Sequence, residues 1–186
     1  MLFNNSGSVQ VTGGTLNQDA GTLGGLGTLT LGTVTANFGT AFSNSVTTLT
    51  VITSTLNGPG TLTNATGRTF TLDRSVINAP FVNQGTLISS GGSAINGLLT
   101  TVPGSMIRVG QVEGCCNPGN LTVATGFTNN AAIELTNLFA SAYGSQLTVT
   151  AGTLTNAPGA TITTLGGTAP GGLRTLAAQL DNQGTL

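Results

Sequence analysis

The side chains that could carry out acid–base or nucleophilic chemistry are few and widely spaced. The acids are Asp19, Asp73, Glu113, Glu134 and Asp181, and the arginines are Arg68, Arg74, Arg108 and Arg174. The sequence has no His and no Lys, so the usual bases that activate a serine or cysteine nucleophile are missing. We predict that the chain is not an enzyme and carries no catalytic residue.

Paired carboxylates could in principle cleave glycosides, and that chemistry needs acids on adjacent turns of the fold, with a cation nearby. Asp73 precedes Arg74, Arg174 and Asp181 are seven positions apart, and Glu134 is expected to stand alone on an outward position. A surface ion pair or a solvated charge explains each of these acids. A polysaccharide-binding or polysaccharide-cleaving protein is therefore the less favoured alternative.

No residue pattern predicts a metal or cofactor site. The Gly-Gly pairs neither open a helix nor precede the lysine of a phosphate loop, so they are interpreted as turns. A calcium roll needs an Asp in every repeat, and the chain has three. Cys115 and Cys116 are too few ligands for zinc. They are either incidental thiols or partners in a vicinal or intermolecular disulfide.

The charge balance limits the class of partner. The formal net charge is −1 and charged residues are 5% of the chain. There is thus no basic face for a phosphate backbone and no polybasic membrane anchor, and no apolar run is long enough for a membrane-spanning helix. We predict neither nucleic-acid binding nor membrane insertion. Sequons begin at Asn4, Asn64 and Asn120, and they matter only in a host that glycosylates them.

The main signal is a short repeat. The triplet Gly-Thr-Leu begins at Gly14, Gly21, Gly27, Gly60, Gly85, Gly152 and Gly184. An asparagine stands just before or after several copies, and the equivalent asparagines are mostly separated by about 20 to 27 positions, the range of solenoid repeats. These asparagines are Asn64, Asn83, Asn129, Asn156 and Asn182. The gap from Asn83 to Asn129 would hold two turns.

Within the repeats, apolar residues alternate with polar ones. Leu29 and Leu31 flank Thr30, and Ile133 and Leu135 flank Glu134. Period two with one apolar face predicts half-buried strands, and Leu173 to Leu180 is also assigned to a strand rather than a helix. We expect an all-β, right-handed parallel β-helix (β-solenoid) without significant helix. A sandwich or barrel has no need for strands so alike, whereas stacked turns place Leu on Leu inside and Asn on Asn at the corners.

These repeats resemble those of very large bacterial exoproteins. The Gly-Thr-Leu-Thr-Asn repeats, as in Gly60–Ala65, are similar in style to filamentous-haemagglutinin-type adhesins and autotransporter passenger domains, as are the segments Gly85–Ile88, Gly152–Gly159 and Leu173–Leu186. The resemblance implies a right-handed β-helix on or outside the cell, acting as a stalk or adhesive fibre. It carries no catalytic, cofactor-binding or metal-binding residues.

The domain prediction is one solenoid segment over residues 1–186, with a long repeat at roughly 85–183. The sequence start lacks the features of a signal peptide, and neither end carries a recognisable cap. The chain is therefore expected to be a fragment of a longer repeat array.

The favoured function is an extracellular or cell-surface structural and adhesive segment, with glycans or other copies of itself as partners. The sharpest alternative is an ice-binding solenoid that uses outward Thr-x-Thr arrays, as at Thr28/Thr30 and Thr69/Thr71. Uneven repeat lengths argue against that alternative, since a lattice match needs a regular array.

Overall fold

In the computed structural model the described residues are 2–4, 6–20, 22–24, 27–44, 48–111, 118–137, 142–166 and 171–186. Within these ranges all regular elements are β-strands, and every strand pairing is parallel. The all-β, parallel solenoid architecture is thus confirmed. The cysteine pair and Glu113 lie outside the described residues.

The chain winds through three faces, and as far as β21 (Ser145–Asn156) every third strand returns to the same face. Face 1 contains β1 (Leu2–Asn4), β4 (Thr22–Gly24), β7 (Phe42–Ser43), β10 (Leu62–Asn64), β13 (Phe81–Asn83), β16 (Leu99–Thr101) and β19 (Phe127–Asn129). Face 2 is one eight-stranded sheet of β2 (Ser8–Thr12), β5 (Thr28–Gly32), β8 (Thr48–Ile52), β11 (Thr69–Asp73), β14 (Thr86–Ser90), β17 (Met106–Val109), β20 (Ala132–Leu135) and β22 (Thr161–Thr164).

Face 3 completes each coil. It contains β3 (Thr15–Gln18), β6 (Thr35–Phe38), β9 (Thr55–Asn57), β12 (Val76–Ile77), β15 (Gly92–Ile95), β18 (Gly119–Val123), β21 (Ser145–Asn156) and β23 (Arg174–Asn182). The last two strands are long because each continues from face 3 onto face 1, where Asn129, Asn156 and Asn182 are register partners. The segment around Leu176 is therefore a strand, as predicted.

Coil length varies although the register on face 2 does not break. Register partners there are 20 residues apart between Leu29 and Leu49, 17 between Phe70 and Leu87, and 29 between Ile133 and Ile162. The extra residues lie between strands, so loops absorb the variation and the stacked strands stay aligned.

A single apolar core runs along the axis of the coils. The period-two pattern points one side of each strand inward, so Leu29, Leu31, Phe70 and Leu72 are buried while the intervening residues face out. Phe70 and Phe81 meet edge to face with centroids 5.4 Å apart. Parallel stacking of like residues therefore builds the core from one coil to the next.

The Gly-Thr-Leu triplets do not mark one position in the coil, contrary to the expected common local context. Gly60 precedes a face 1 strand, Gly85 a face 2 strand, and Gly14 a face 3 strand. In each of these three triplets the glycine stands at a corner, and the strand that follows has its Leu turned further inward than its Thr. A Cβ on Gly60 would lie 2.0 Å from the backbone oxygen of Thr40 on the neighbouring coil, which only glycine permits.

Buried asparagines form an inner ladder at the end of the face 1 strands. The Asn44 amide nitrogen donates to Asn64 Oδ1 at 2.7 Å, and Asn64 Nδ2 donates to Asn83 Oδ1 at 2.7 Å. The ladder resumes from Asn129 to Asn156 and on to Asn182, at 2.8 Å each. The predicted stacking of Asn on Asn is confirmed.

Thr101 occupies the ladder position between Asn83 and Asn129. It is the register partner of Asn83, and its hydroxyl donates to the backbone oxygen of Thr128 at 2.8 Å. One intervening coil thus divides the gap into two steps, as predicted, but with a hydroxyl instead of an amide.

A second, outer ladder follows face 3 and was not predicted. It consists of Asn17, Asn37, Asn57, Asn78 and Asn96, and each member after Asn17 donates from Nδ2 to the Oδ1 of the preceding member at 2.8–2.9 Å. Its amides point toward the amino-terminal end of the coil stack, whereas those of the inner ladder point toward the carboxy-terminal end. The two ladders thus connect neighbouring coils at the two ends of face 1.

Buried serines close the corner between faces 2 and 3. Ser54 Oγ accepts from Val34 N at 2.9 Å, Ser75 Oγ from Ser54 N at 3.0 Å, and Ser93 Oγ from Ser75 N at 3.2 Å. The hydroxyls satisfy backbone N–H groups that would otherwise be buried unpaired at the bend.

The buried serines Ser89 and Ser93 differ in the hydrogen bonding of their hydroxyls, so replacing each by alanine is expected to change stability in opposite directions. Ser89 Oγ has no hydrogen-bond partner, whereas Ser93 Oγ donates to Ser90 O at 2.9 Å and accepts from Ser75 N. We expect Ser89→Ala to raise the free energy of unfolding by about 1 kcal/mol and Ser93→Ala to lower it by about 1–3 kcal/mol. Denaturant titration of both variants measures this, and a loss of stability in Ser89→Ala would contradict the packing described.

The described residues contain no helix of the length and apolarity needed to cross a membrane.

Candidate binding surface

The charged residues are placed singly or in pairs along the coils. Arg74 Nη2 lies 2.9 Å from Asp73 Oδ2, as their adjacency predicts, and Ser90 Oγ donates to Asp73 Oδ1 at 3.1 Å. Both side chains of this pair are partly exposed. This is a surface ion pair of small energetic weight.

Glu134 does not stand alone, so that expectation is wrong. Arg108 and Glu134 are register partners on β17 and β20, and Arg108 Nε lies 2.7 Å from Glu134 Oε2. The two residues are 26 positions apart in sequence, which is why adjacency in the chain gave no sign of the pair. Arg108 holds this carboxylate in an ion pair on the outward side of face 2.

Arg174 and Asp181 do not pair with each other. The Arg174 guanidinium donates to backbone oxygens of the two last loops, among them Gly172 O at 2.8 Å and Leu165 O at 3.1 Å. Asp181 instead accepts from Gln183 Nε2 at 2.8 Å. Arg174 therefore stabilises the loop backbone through hydrogen bonds and does not form a charged site with Asp181.

The acids that the structure describes are not on adjacent coils. On face 2, Asp73 on β11 and Glu134 on β20 are separated by β14 and β17. At about 4.8 Å per strand, that separation is roughly 14 Å. This does not provide the paired carboxylates that glycoside cleavage requires. Among the described residues, no group of three or more His, Cys, Asp or Glu side chains could hold a metal ion.

The structure also distinguishes the three sequons. Asn64 is fully buried within the inner ladder, so a glycan could not be attached to the folded chain there. Asn120 lies on β18 with its side chain partly exposed, and Asn4 is exposed.

Face 2 carries a regular array of threonine positions, here called the threonine grid. It has two columns, defined by register: Thr28, Thr48, Thr69 and Thr86 in one, and Thr30, Thr50 and Thr71 in the other. Parallel strands are about 4.8 Å apart and alternate residues about 6.6 Å apart, so the columns form a near-rectangular grid. The next position in each column is not a threonine: Met106 follows Thr86 and Ile88 follows Thr71, so the grid ends there.

Five hydroxyls of the threonine grid differ in their hydrogen bonding from the outward asparagines of face 3. The hydroxyls of Thr30, Thr50, Thr69, Thr71 and Thr86 make no hydrogen bond within the described protein. On face 3, by contrast, the outward asparagines satisfy one another through the outer ladder. These five threonine hydroxyls are therefore left for solvent or a ligand.

Sequence reasoning identified Thr28/Thr30 and Thr69/Thr71 as separate pairs but did not place them in one surface. The signal that could have joined them is the spacing from Thr28 to Thr48 and from Thr30 to Thr50, which equals the 20-residue coil of that region. The pairs at Thr61/Thr63 and Thr153/Thr155 lie on face 1 and do not join this grid.

Comparison with known proteins does not place the chain: no family model matches it, and neither a curated protein nor a solved structure matches it.

Proposed function

We propose that the chain is a structural and adhesive segment of an extracellular or cell-surface protein, and that it extends and displays a polar surface without catalysis. The observation that carries this proposal is the pair of asparagine ladders, which tie coil to coil along the stack.

The ladders act together with the core to stiffen the stack. Asn64 connects its own coil to the coils before and after it through two hydrogen bonds of 2.7 Å. Buried amide chains polarise one another, and each coil of a solenoid contacts mainly its neighbours. Such a scaffold resists bending and holds the outward residues at a fixed spacing, as a stalk or fibre requires.

The outward faces favour many weak polar contacts over one strong site. Thr and Asn dominate faces 2 and 3, and charged residues are 5% of the chain. Glycans and neighbouring fibres present hydroxyls and amides that such faces can hydrogen-bond. The resemblance to haemagglutinin-type exoproteins agrees with this proposal, and we infer an extracellular or surface location from it.

Stretching single molecules from their two ends tests the structural role. We expect stepwise release of coils, each 20-residue coil adding about 70 Å of extended chain. A single release of the whole chain would contradict a stack of coils that each contact only their neighbours.

Retention of protein-coated beads on glycan-coated surfaces tests the adhesive role. We expect retention that changes little between low salt and about 0.5 M salt, because few charges are available to be screened. Beads coated with an unrelated protein of similar charge are the control. Absence of retention, or a steep loss with salt, would contradict adhesion through uncharged polar faces.

A further inference from the structure

The threonine grid on face 2 has the properties of a surface that orders water. Thr is β-branched and has restricted χ1 rotamers, so its methyl and hydroxyl groups are fixed relative to the backbone. The backbone beneath is a parallel sheet without a break in register from β5 to β14. The hydroxyl positions are therefore set by the fold and need little ordering when a ligand binds.

Three hydroxyls in one column of the grid are available. Thr30, Thr50 and Thr71 follow one another in the same column, are half-exposed, and donate to no group of the described protein. The nearest charged side chain on these strands is Asp73, which Arg74 and Ser90 already engage. Water bound to this surface thus contacts a repeated pattern of methyl and hydroxyl groups without a strong local field.

The spacing along the columns is close to that of a tetrahedral water network. With O–H···O distances of about 2.8 Å, second-neighbour oxygens in such a network lie about 4.5 Å apart. The strand spacing is about 4.8 Å, so from Thr28 to Thr86 the two repeats diverge by less than about 1 Å. A water layer held by the columns can therefore continue into crystalline water.

Uneven coil length does not disturb this match. The coils that carry the grid contain 20, 21 and 17 residues between register partners, yet Thr48, Thr69 and Thr86 remain aligned. The variation lies at the corners, where the chain leaves the sheet. Uneven repeat lengths therefore leave the array on face 2 regular.

We propose that the threonine grid on face 2 is an ice-binding site, and that its ligand is the surface of crystalline water. This inference goes beyond the structural role and does not depend on it. A glycan or a second copy of the chain are the competing occupants. An aromatic platform for sugar stacking is lacking on the grid itself, whose outward residues are threonines bordered by Ile88 and Met106.

Ice growth in the presence of the chain tests the proposal. The informative variant is Thr50→Lys, because Thr50 lies between Thr30 and Thr71 and a lysine there projects through the grid. The matched control is Thr63→Lys, at a half-exposed outward position in the middle of β10 on face 1. Equal unfolding midpoints for the three proteins establish that the fold is kept.

We expect the unmodified chain and Thr63→Lys to produce faceted crystals and a gap between melting and freezing temperatures, and Thr50→Lys to lose both. Smooth, disc-shaped growth with the unmodified chain would overturn the proposal. So would equal activity of the two variants, since that result removes face 2 from the binding. If sedimentation shows that Thr50→Lys mainly disperses an oligomer of the chain, the occupant is a second copy and the ice assignment fails.

Discussion

Replacing Asn64 by alanine is expected to lower the free energy of unfolding by about 3–5 kcal/mol. The substitution removes Asn64 as the acceptor for Asn44 Nδ2 and as the donor to Asn83 Oδ1, and both of these residues are almost fully buried. Water cannot reach them, so each group loses its hydrogen bond at the full cost of desolvation. Urea titration of the two proteins measures the difference.

Asn57→Ala is the matched control, because it removes the same two amide bonds from the outer ladder. Asn57 donates to Asn37 at 2.9 Å and accepts from Asn78 at 2.8 Å, but these side chains are partly or fully exposed. Solvent can replace the lost bonds, so we expect a cost of about 1 kcal/mol or less. Equal losses in the two variants would show that burial of the inner ladder contributes nothing.

Gly97→Ala is expected to destabilise the chain by about 3 kcal/mol or to prevent folding. A Cβ at this position would lie 1.9 Å from the backbone oxygen of Ala79 and 2.5 Å from its carbonyl carbon on the preceding coil. Backbone cannot rotate away as a side chain can, so the coils must separate at this corner. The free energy of unfolding, or the yield of folded protein, measures the effect.

Gly92→Ala is the control for that substitution. Gly92 is exposed on β15, and a Cβ there would meet no atom within 4 Å. We expect a change within about 0.5 kcal/mol, as for ordinary surface substitutions. If Gly97→Ala were equally mild, the close approach of neighbouring coils at the face 3 to face 1 corner would be wrong.

The sequence was sufficient to predict the strands and the side of each strand that faces the core, because alternation is a local pattern. Val9, Phe70 and Ile133 all point inward as their period-two setting indicates. The inner ladder was also predictable, since its asparagines follow an inward apolar residue by two positions, as in Leu62-Thr63-Asn64 and Phe81-Val82-Asn83.

The contacts between coils were less accessible, because they depend on the number of residues in each corner. Arg108 meets Glu134 only because the coil between them holds 26 residues. The outer ladder has spacings of 20, 20, 21 and 18 residues, yet asparagine is common in turns for local reasons, so those positions were not joined. The threonine grid was missed for the same reason, because the alignment of threonines on neighbouring coils depends on the number of residues in each coil.

Cross-linking between coils tests the central claim, the parallel register of the stack, most directly. Both designs use a Cys115→Ser/Cys116→Ser background. Thr50→Cys with Thr71→Cys places two cysteines at partner positions on neighbouring coils, with Cα atoms about 4.8 Å apart and so within the range of a disulfide. Thr50→Cys with Ile88→Cys places them two coils apart, about 9.6 Å, beyond that range. We predict that mild oxidation followed by mass spectrometry finds the disulfide in the first pair and free thiols in the second. Free thiols in the first pair, or equal cross-linking of both pairs, would contradict the stacked solenoid.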